Sequence, residues 1–284
     1  MTNEIKEGVA SISHGKDSMA MLEAIKILGL PLTRIVTVDI WATDTIRGEL
    51  PPMVEFKEKA DAFILERYGI EVEHIRADYP NDTFEHGFYQ KYKPETIEKK
   101  RAEHPERVCT EIYGFPYVKA GAWCKRMKIN AVAKIKRSIG EGAYNYLGIA
   151  ADEAERIKMH QGKGTNRLPL VEIGWTEADC YKWCEENGVL SPTYKDSHRD
   201  GCWFCPCQNV KSLRMLRRNY HQLWEMLLKW QADSLIPFKM EHDIYDYEKR
   251  FALEDEGLID PREPFRWADI EHPQMRIDWS DYAK

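Results

Sequence analysis

No apolar run in the 284-residue sequence approaches the roughly 18 residues that a bilayer-crossing helix needs. The opening residues, MTNEIKEGVASIS, lack the basic-then-apolar pattern of a secretory signal. A soluble protein of a reducing compartment, the cytoplasm, is therefore expected, with no membrane partner. Cysteine is scarce: seven residues are too few for a secreted disulfide scaffold of this length. Positive charge is not in excess, since 41 Lys and Arg stand against 47 Asp and Glu, a net charge of −6. That excludes a generic polycation that coats nucleic acid, though not a local basic patch. With 17 Gly and 14 Pro and no internal repeat, collagen-like and low-complexity readings fall away. Neither a Walker loop, G-x-x-x-x-G-K-[ST], nor a Rossmann G-x-G-x-x-G occurs.

What is present is a succession of strand and helix signals in the first third. Val9 to Ile12 is a short β-type run, followed by a polar turn and by Met21, Leu22, Ile25 and Leu28 at helical spacing. Arg34 to Ile40 is rich in β-branched residues and reads as a second strand. Pro51-Pro52 opens a helix to about Tyr68, and Ile70 to Ile75 alternates as a third strand. Strands separated by helices predict right-handed crossovers and a parallel sheet. Further along, Lys125 to Ile139 reads as a helix, Ala143 to Ala150 as a fourth strand and Leu168 to Ile173 as a fifth. Thr176 to Asn187 reads as a short helix capped by Thr176 or its neighbour, a loop from Leu190 to Gln208 carries three of the seven cysteines, and Val210 to Trp230 reads as one amphipathic helix. The expectation is an α/β domain over residues 1–200, with an irregular insertion at 80–120. Residues 201–284 then supply a Cys-bearing loop and a helical C-terminal extension.

The first strand runs into Ser13-His14-Gly15-Lys16-Asp17-Ser18 and then into a helix. Such a turn is an anion cradle. Gly15 admits close backbone approach, and the free N–H groups and dipole of the first helical turn favour negative charge. Lys16 adds a point charge, Ser13 and Ser18 add hydroxyls, and Asp17 is suited to hold Mg²⁺ against phosphate oxygens. The plain alternative is a polar turn with a Ser or Asp cap. The six residues resemble the Ser-Gly-Gly-Lys-Asp-Ser loop of the PP-loop adenine nucleotide α-hydrolase superfamily, with His14 where the second Gly is usual.

Five further segments resemble the phosphoadenosine phosphosulfate reductase-like branch of that superfamily. They are Trp123-Cys124-Lys125 through Lys128; Gly148-Ile149-Ala150-Ala151-Asp152-Glu153-Ala154-Glu155-Arg156; Leu168-Pro169-Leu170 with Trp175-Thr176-Glu177-Ala178-Asp179; Pro192-Thr193-Tyr194; and Gly201-Cys202-Trp203-Phe204-Cys205-Pro206. They occur in the family's order over roughly residues 8 to 210. The resemblance implies a Rossmann-like, HUP-type parallel sheet flanked by helices. It implies that Ser13, Gly15, Lys16 and Ser18 hold the nucleotide's phosphates and that Asp39 sits near the adenosine. Gly148, Asp152, Glu153 and Arg156 would line the same crevice, with Lys128 and Arg156 as cations facing phosphate or sulfate. Lys16, Asp17, Lys128 and Arg156 become the candidate catalytic groups. The bland counterpart for the acidic segment is a helix start with an i, i+3 ion pair between Glu153 and Arg156.

Cys202, Cys205 and Cys207 place three soft ligands on one loop, and Cys124 is the candidate fourth, with His198 a weaker one. Four thiolates suit an iron–sulfur cluster or Zn²⁺. The resemblance favours [4Fe–4S], because related sulfur-handling branches use it, and Zn²⁺ is the alternative. A redox dithiol and plain buried cysteines also stay open. Cys180 and Cys184, spaced i and i+4, read as core; Cys109 has no assignment.

Two chemistries follow from the resemblance. In one, a catalytic thiol reduces an adenylyl sulfate nucleotide. In the other, ATP adenylates an acceptor, and sulfur from a donor protein displaces AMP. The family's reductases carry the nucleophile in a C-terminal E-C-G-[IL]-H segment, and here no Cys follows Cys207. The ATP-dependent, sulfurtransferase-like reading is therefore preferred. A reductase with a displaced thiol is the alternative, and a non-catalytic nucleotide- or cluster-binding module stands as a third class. A nucleic-acid acceptor is suggested by two basic stretches. Lys211, Arg214, Arg217, Arg218 and His221 stripe one helix, and Lys91, Lys93, Lys99, Lys100 and Arg101 interleave with Tyr89 and Tyr92. The counter-reading is a solvated face balanced by the acidic tail. Nothing in the sequence bears on oligomeric state.

Overall fold

The computed structural model describes residues 7–105, 109–117, 122–139, 142–194, 201–263, 265 and 267. In chain order the elements are β1 (Gly8–Ile12), α1 (Lys16–Ile27), β2 (Arg34–Val38), α2 (Pro51–Tyr68), β3 (Val72–Ile75), α3 (Phe84–Phe88) and α4 (Pro94–Glu103). There follow α5 (Lys125–Ser138), β4 (Tyr144–Tyr146), α6 (Ala154–His160), β5 (Asn166–Arg167), α7 (Pro169–Ile173), α8 (Glu177–Glu186) and a 3-10 turn at Pro192–Tyr194. Last come α9 (Val210–Asn219), α10 (His221–Asp233) and α11 (Ile244–Asp255). Two units separate: Met1–Thr83 with Arg126–Cys202, and Phe84–Lys125 with Trp203–Lys284. Among the described residues no helix is long and apolar enough to cross a membrane.

The first unit is a five-stranded sheet in the order β3-β2-β1-β4-β5, and every pairing is parallel. This is the α/β, Rossmann-like, HUP-type arrangement. Strands buried on both faces account for the near-continuous apolar runs in β1 and β2. One face seats Ala10, Ile12, Ile35 and Tyr146 against Met19, Leu22 and Ile25 of α1, Ile64 of α2, Leu170 of α7 and Cys180 and Cys184 of α8. The opposite face packs Val9 and Val36 against Ile135 of α5. The chain leaves β1 toward β2 but returns to β1's other side as β4. The strand order therefore reverses between β1 and β4, and their carboxyl ends open the crevice where such sheets bind ligands.

The helix at Glu177 begins with a capping box. Thr176 Oγ1 accepts from the Asp179 N–H while Asp179 accepts from the Thr176 N–H, an arrangement that contributes on the order of 1 kcal/mol.

Several expectations are corrected. Leu168 to Ile173 is not a strand: Pro169, with its fixed φ and missing N–H, opens α7, and Gly174 at φ 73° ends it. The fifth strand is the preceding pair, Asn166–Arg167. The fourth strand stops at Tyr146, and the second stops at Val38, one residue before Asp39. Residues 80–120 are less irregular than expected, because α3 and α4 lie there and 84–125 group with 203–284. The helix expected over Val210 to Trp230 breaks at Tyr220, where φ is −133° and ψ 61°. The apolar spacing hides that break because buried Leu213 and Leu216 continue into buried Trp224 and Leu227.

The second unit is held by an aromatic core. Phe84 lies 4.2 Å from Phe204 and 5.2 Å from Trp123, and Trp203 stacks on Trp230 at 5.6 Å. Gly87 is required there, since a Cβ would fall 2.2 Å from the Trp123 ring.

Candidate active site

β1 ends at Ile12 and α1 starts at Lys16, so only Ser13, His14 and Gly15 make the turn. Gly15 is the N-cap, extended at φ −78° and ψ 161°, and no side chain among the described residues caps the helix. The turn is tied by short bonds. The Ser13 N–H donates to Ser18 Oγ at 3.2 Å, Ser18 Oγ donates to the Gly15 carbonyl at 2.9 Å, and the Lys16 N–H donates to the Tyr194 hydroxyl at 3.4 Å. The left-handed residue is His14, at φ 60°, with its ring fully buried and Nε2 2.7 Å from Asp61.

Beside this turn lies a cavity of about 570 Å³, within the range of small-molecule sites. Of the expected site residues, Ser13, Ser18, Lys128, Gly148, Arg156 and Cys202 line it. Gly148 presses the loop after β4 onto the start of α1: a Cβ there would sit 3.0 Å from the Asp17 carbonyl oxygen and from Ser18 Cα. Thr37, Glu49, Lys57 and His160 also line the cavity and carry no sequence signal that singles them out. Thr37 Oγ1 is buried without a hydrogen-bond partner among the described residues.

Gly15, Lys16, Asp17, Asp39, Asp152 and Glu153 are not among the described lining residues. Lys16 Nζ pairs with Asp17 at 2.8 Å and with Glu177 at 3.4 Å. Burial works against the ammonium, yet the hydrogen bond and charge of Asp17, with Glu177 beyond, hold its pKa above the ordinary lysine value. Carboxylate oxygens of Asp17, Glu153 and Glu177 lie within 4.8 Å of one another. Glu177 was not anticipated; its signal is its place at the first position of α8, directly after the Thr176 cap. Glu153 accepts from the Ala150 N–H at 3.0 Å and from Arg156 at 2.5 and 2.8 Å. The helix-start ion pair is thus present, on an arginine that also lines the cavity. Asp152 accepts from the Glu177 N–H at 3.0 Å, steadying the start of α8.

Asp39 is turned into a buried network. Arg47 binds it through two nitrogens, at 2.6 and 2.5 Å, and His74 Nδ1 lies 3.1 Å away. Burial alone would raise its pKa, but Arg47 and His74 hold it below the ordinary carboxylate value.

None of the seven cysteines forms a disulfide. Cys124, Cys205 and Cys207 belong to the second unit, and Cys202 is the last residue of the first. Burial, then the neighbouring Cys205 and Cys207, push the Cys124 thiol up to about 11. Cys205 and Cys207 are thus electrostatic neighbours of Cys124, but among the described residues the donor groups whose ligand atoms lie within 4.8 Å of one another contain no cysteine. His198 lies outside the described residues. Cys180 and Cys184 are fully buried on α8, as expected of core residues. The Cys184 thiol donates to the Lys16 carbonyl at 3.4 Å, and burial lifts both thiols to about 12, with Asp17 adding to it.

The basic stripe after the Cys loop is tied down by the acidic tail. Glu254 binds Arg214 at 2.5 and 2.9 Å, Glu248 binds Arg217 at 2.8 and 2.9 Å, and Asp255 binds Arg217 at 2.5 Å and Arg218 at 2.6 Å. His221 faces Glu225 at 3.4 Å. The balanced-face reading therefore holds for these arginines, and the nucleic-acid reading loses them. In the other stretch, Lys100 lies 4.4 Å over the Tyr92 ring, Lys99 pairs with Glu103 and Arg101 with Glu111, and α4 buries no residue.

No family model matches the chain, and no curated protein matches it. Among solved structures it is similar to the U34-tRNA thiolase NcsA from Methanococcus maripaludis with its [4Fe-4S] cluster. The identity is 15% and the TM-score 0.37, over 88% of this chain and 72% of that one. A likeness that slight assigns nothing to this chain.

Proposed function

We propose that this chain is a PP-loop enzyme of the phosphoadenosine phosphosulfate reductase-like kind, which binds ATP in the first unit and uses it to adenylate an acceptor for sulfur transfer. One observation carries the reading: the uncapped start of α1 and its two serines open on a cavity of nucleotide size at the point where the strand order reverses. The close seat of Gly148 and the Thr37 hydroxyl, without a hydrogen-bond partner among the described residues, fit a site built for a polar ligand.

In this reading Ser13, Gly15, Lys16 and Ser18 hold the phosphate tail, and Lys128 and Arg156 face it from the cavity wall. An acceptor oxygen attacks the α-phosphorus, the bond to pyrophosphate breaks, and a sulfur nucleophile then displaces AMP. The chain's part is electrostatic: it holds the leaving pyrophosphate beside fixed cations and N–H groups. Mg²⁺, when bound, would neutralise phosphate oxygens, and the hard oxygens of Asp17, Glu153 and Glu177 fit it. Asp39, tied to Arg47, acts on the adenosine side only as a support. Asp152 supports Glu177.

Cys124, Cys205 and Cys207 offer the soft thiol donors that suit a soft metal. They would hold the [4Fe–4S] cluster, or Zn²⁺ as the alternative, and the cluster would supply a binding point for sulfur. A nucleic-acid base is one acceptor class. With the α9 arginines neutralised, the lysines of residues 91–101 are what support it.

Cys202 favours a second reading. It lines the cavity, and in that reading its thiolate attacks the sulfur of an adenylyl sulfate nucleotide. The nucleotide would leave, and a second thiol would attack the cysteine sulfur of the resulting S-sulfocysteine, forming a disulfide and releasing sulfite. Purified protein with Mg²⁺-ATP and candidate acceptors is expected to release pyrophosphate. Sulfite from phosphoadenosine phosphosulfate without ATP turnover would establish the second reading. ATP binding with no cleavage for any acceptor would leave a binding module.

A further inference from the structure

Between the phosphate turn and the loop after β2 runs an unbroken line of hydrogen bonds inside the first unit. His14 Nε2 lies 2.7 Å from one oxygen of Asp61 on α2. The other Asp61 oxygen lies 3.0 Å from Nε2 of His74 on β3. His74 Nδ1 lies 3.1 Å from Asp39, which Arg47 binds through two nitrogens. Beyond Arg47, Glu49 lies 3.7 Å away and is paired with Lys57 at 2.6 Å.

His14 is the strained member. A left-handed backbone at a bulky residue costs roughly 1–2 kcal/mol relative to glycine and persists where surrounding contacts hold it. Its ring is wholly buried, and its Nδ1 has no hydrogen-bond partner among the described residues. The bond to Asp61 is the polar contact that holds the ring. His74 is the member that depends on its protons. Both of its ring nitrogens face carboxylate oxygens, which only accept, so a neutral ring can satisfy one contact and an imidazolium satisfies both. Its facing charges are Asp39 and Asp61, with Arg47 behind Asp39 and His14 behind Asp61.

We propose that His14 and Asp61 are positioning residues that hold the phosphate-binding turn, and that His74 sets them by bridging Asp61 to Asp39. This rests on the nucleotide reading above, because the turn is given its purpose there. The side chain at position 14 then does by tethering what a glycine would do by conformational freedom. The line ties the turn that holds the phosphates to the 39–49 loop, whose Glu49 lines the same cavity.

The test is calorimetric titration of the full chain with Mg²⁺-ATP and, separately, with adenosine. Asp61→Asn keeps an acceptor for His14 but removes the charge shared with His74. Its affinity for ATP is expected to fall about tenfold while adenosine affinity holds, a phosphate-specific loss that general destabilisation would not produce. His14→Gly is expected to lose ATP affinity in the same way. His74→Gln, which cannot bridge Asp61 and Asp39 through two ring nitrogens, is expected to lower the ATP-to-adenosine affinity ratio as well. A wild type that binds no ATP overturns the nucleotide reading and this one with it. A wild type that binds ATP, with the ratio unmoved in Asp61→Asn or ATP bound more tightly by His14→Gly, overturns this proposal alone. Should His14→Gly fail to fold, the folded wild type and His74→Gln still decide by NMR. The His14 ring resonance is expected to shift between them, and an unmoved signal breaks the relay.

Discussion

Gly15→Ala separates a ligand effect from a folding effect. The N-cap is extended at φ −78°, which any L-residue adopts. A Cβ at position 15 would meet Ser13 Oγ at 3.5 Å and the Tyr194 hydroxyl at 3.6 Å, ordinary contact distances. The fold has room for the methyl. Alanine also restricts the unfolded chain, so stability should hold or rise by about 0.4–1 kcal/mol. For a unit of this size that is a rise in Tm of about 1–4 °C. The same methyl would stand between the turn's backbone and an incoming phosphate. Affinity for Mg²⁺-ATP, measured by calorimetry, is therefore expected to fall tenfold or more, while the melting temperature does not fall. An ATP affinity equal to wild type in a stable Gly15→Ala protein would refute the reasoning, because nothing large and anionic would then lie against Gly15.

Gly148→Ala should behave oppositely: its Cβ meets backbone atoms of α1 at 3.0 Å, so about 1–3 kcal/mol of stability is lost together with ATP affinity, and an unchanged melting curve would mean that the loop is not seated there. Glu177→Gln should weaken the Mg²⁺ dependence of ATP binding more than ATP binding without metal; equal losses would place Glu177 outside any metal site. In protein purified without oxygen, Cys124→Ser should lower bound iron or zinc, read by metal analysis, and a full metal complement in that variant would remove Cys124 from the ligands. The Asp39 carboxyl has a depressed pKa when folded, so its contribution is present above the unfolded value near about 4 and is lost as pH falls through the folded one. Asp39→Asn should therefore flatten the acid limb of the stability curve, and an unaltered limb would show that the Arg47 pair does not govern it.

The parallel sheet was legible because burial on both faces leaves β1 as a short apolar run and β2 as a β-branched one, while Gly29, Pro31 and Pro51-Pro52 punctuate the chain between the strands. Elements that depend on one residue's geometry were not. Leu168 to Ile173 has a strand's apolar density, and only Pro169 and Gly174 mark it as one helical turn and a half. Tyr220 interrupts a helix whose apolar face keeps its spacing across the break, so hydropathy carries no trace of it. The grouping of 84–125 with 203–284 comes from aromatic packing between segments about a hundred residues apart, as between Phe84 and Phe204, which no local pattern encodes.

At the candidate site, sequence showed which residues carry chemistry and tertiary structure showed what each is tied to. The turn at residues 13–18 announces itself through residue type, and Ser13 and Ser18 do line the cavity. The arginines at 214, 217 and 218 read as a phosphate-binding stripe because the carboxylates that neutralise them lie more than thirty residues downstream, on α11. A charge run takes its meaning from its partners, and folding supplies those. The same holds for His14. In sequence it is a departure from a glycine-rich loop. In the fold it is a fully buried ring tethered to Asp61, and through Asp61 to His74 and Asp39. A side chain that breaks a loop's local rule is tolerated when the surrounding structure over-determines it. Position 14 is therefore where this chain's own way of positioning the turn should be sought, while the common residues of the turn carry the proposed phosphate contacts.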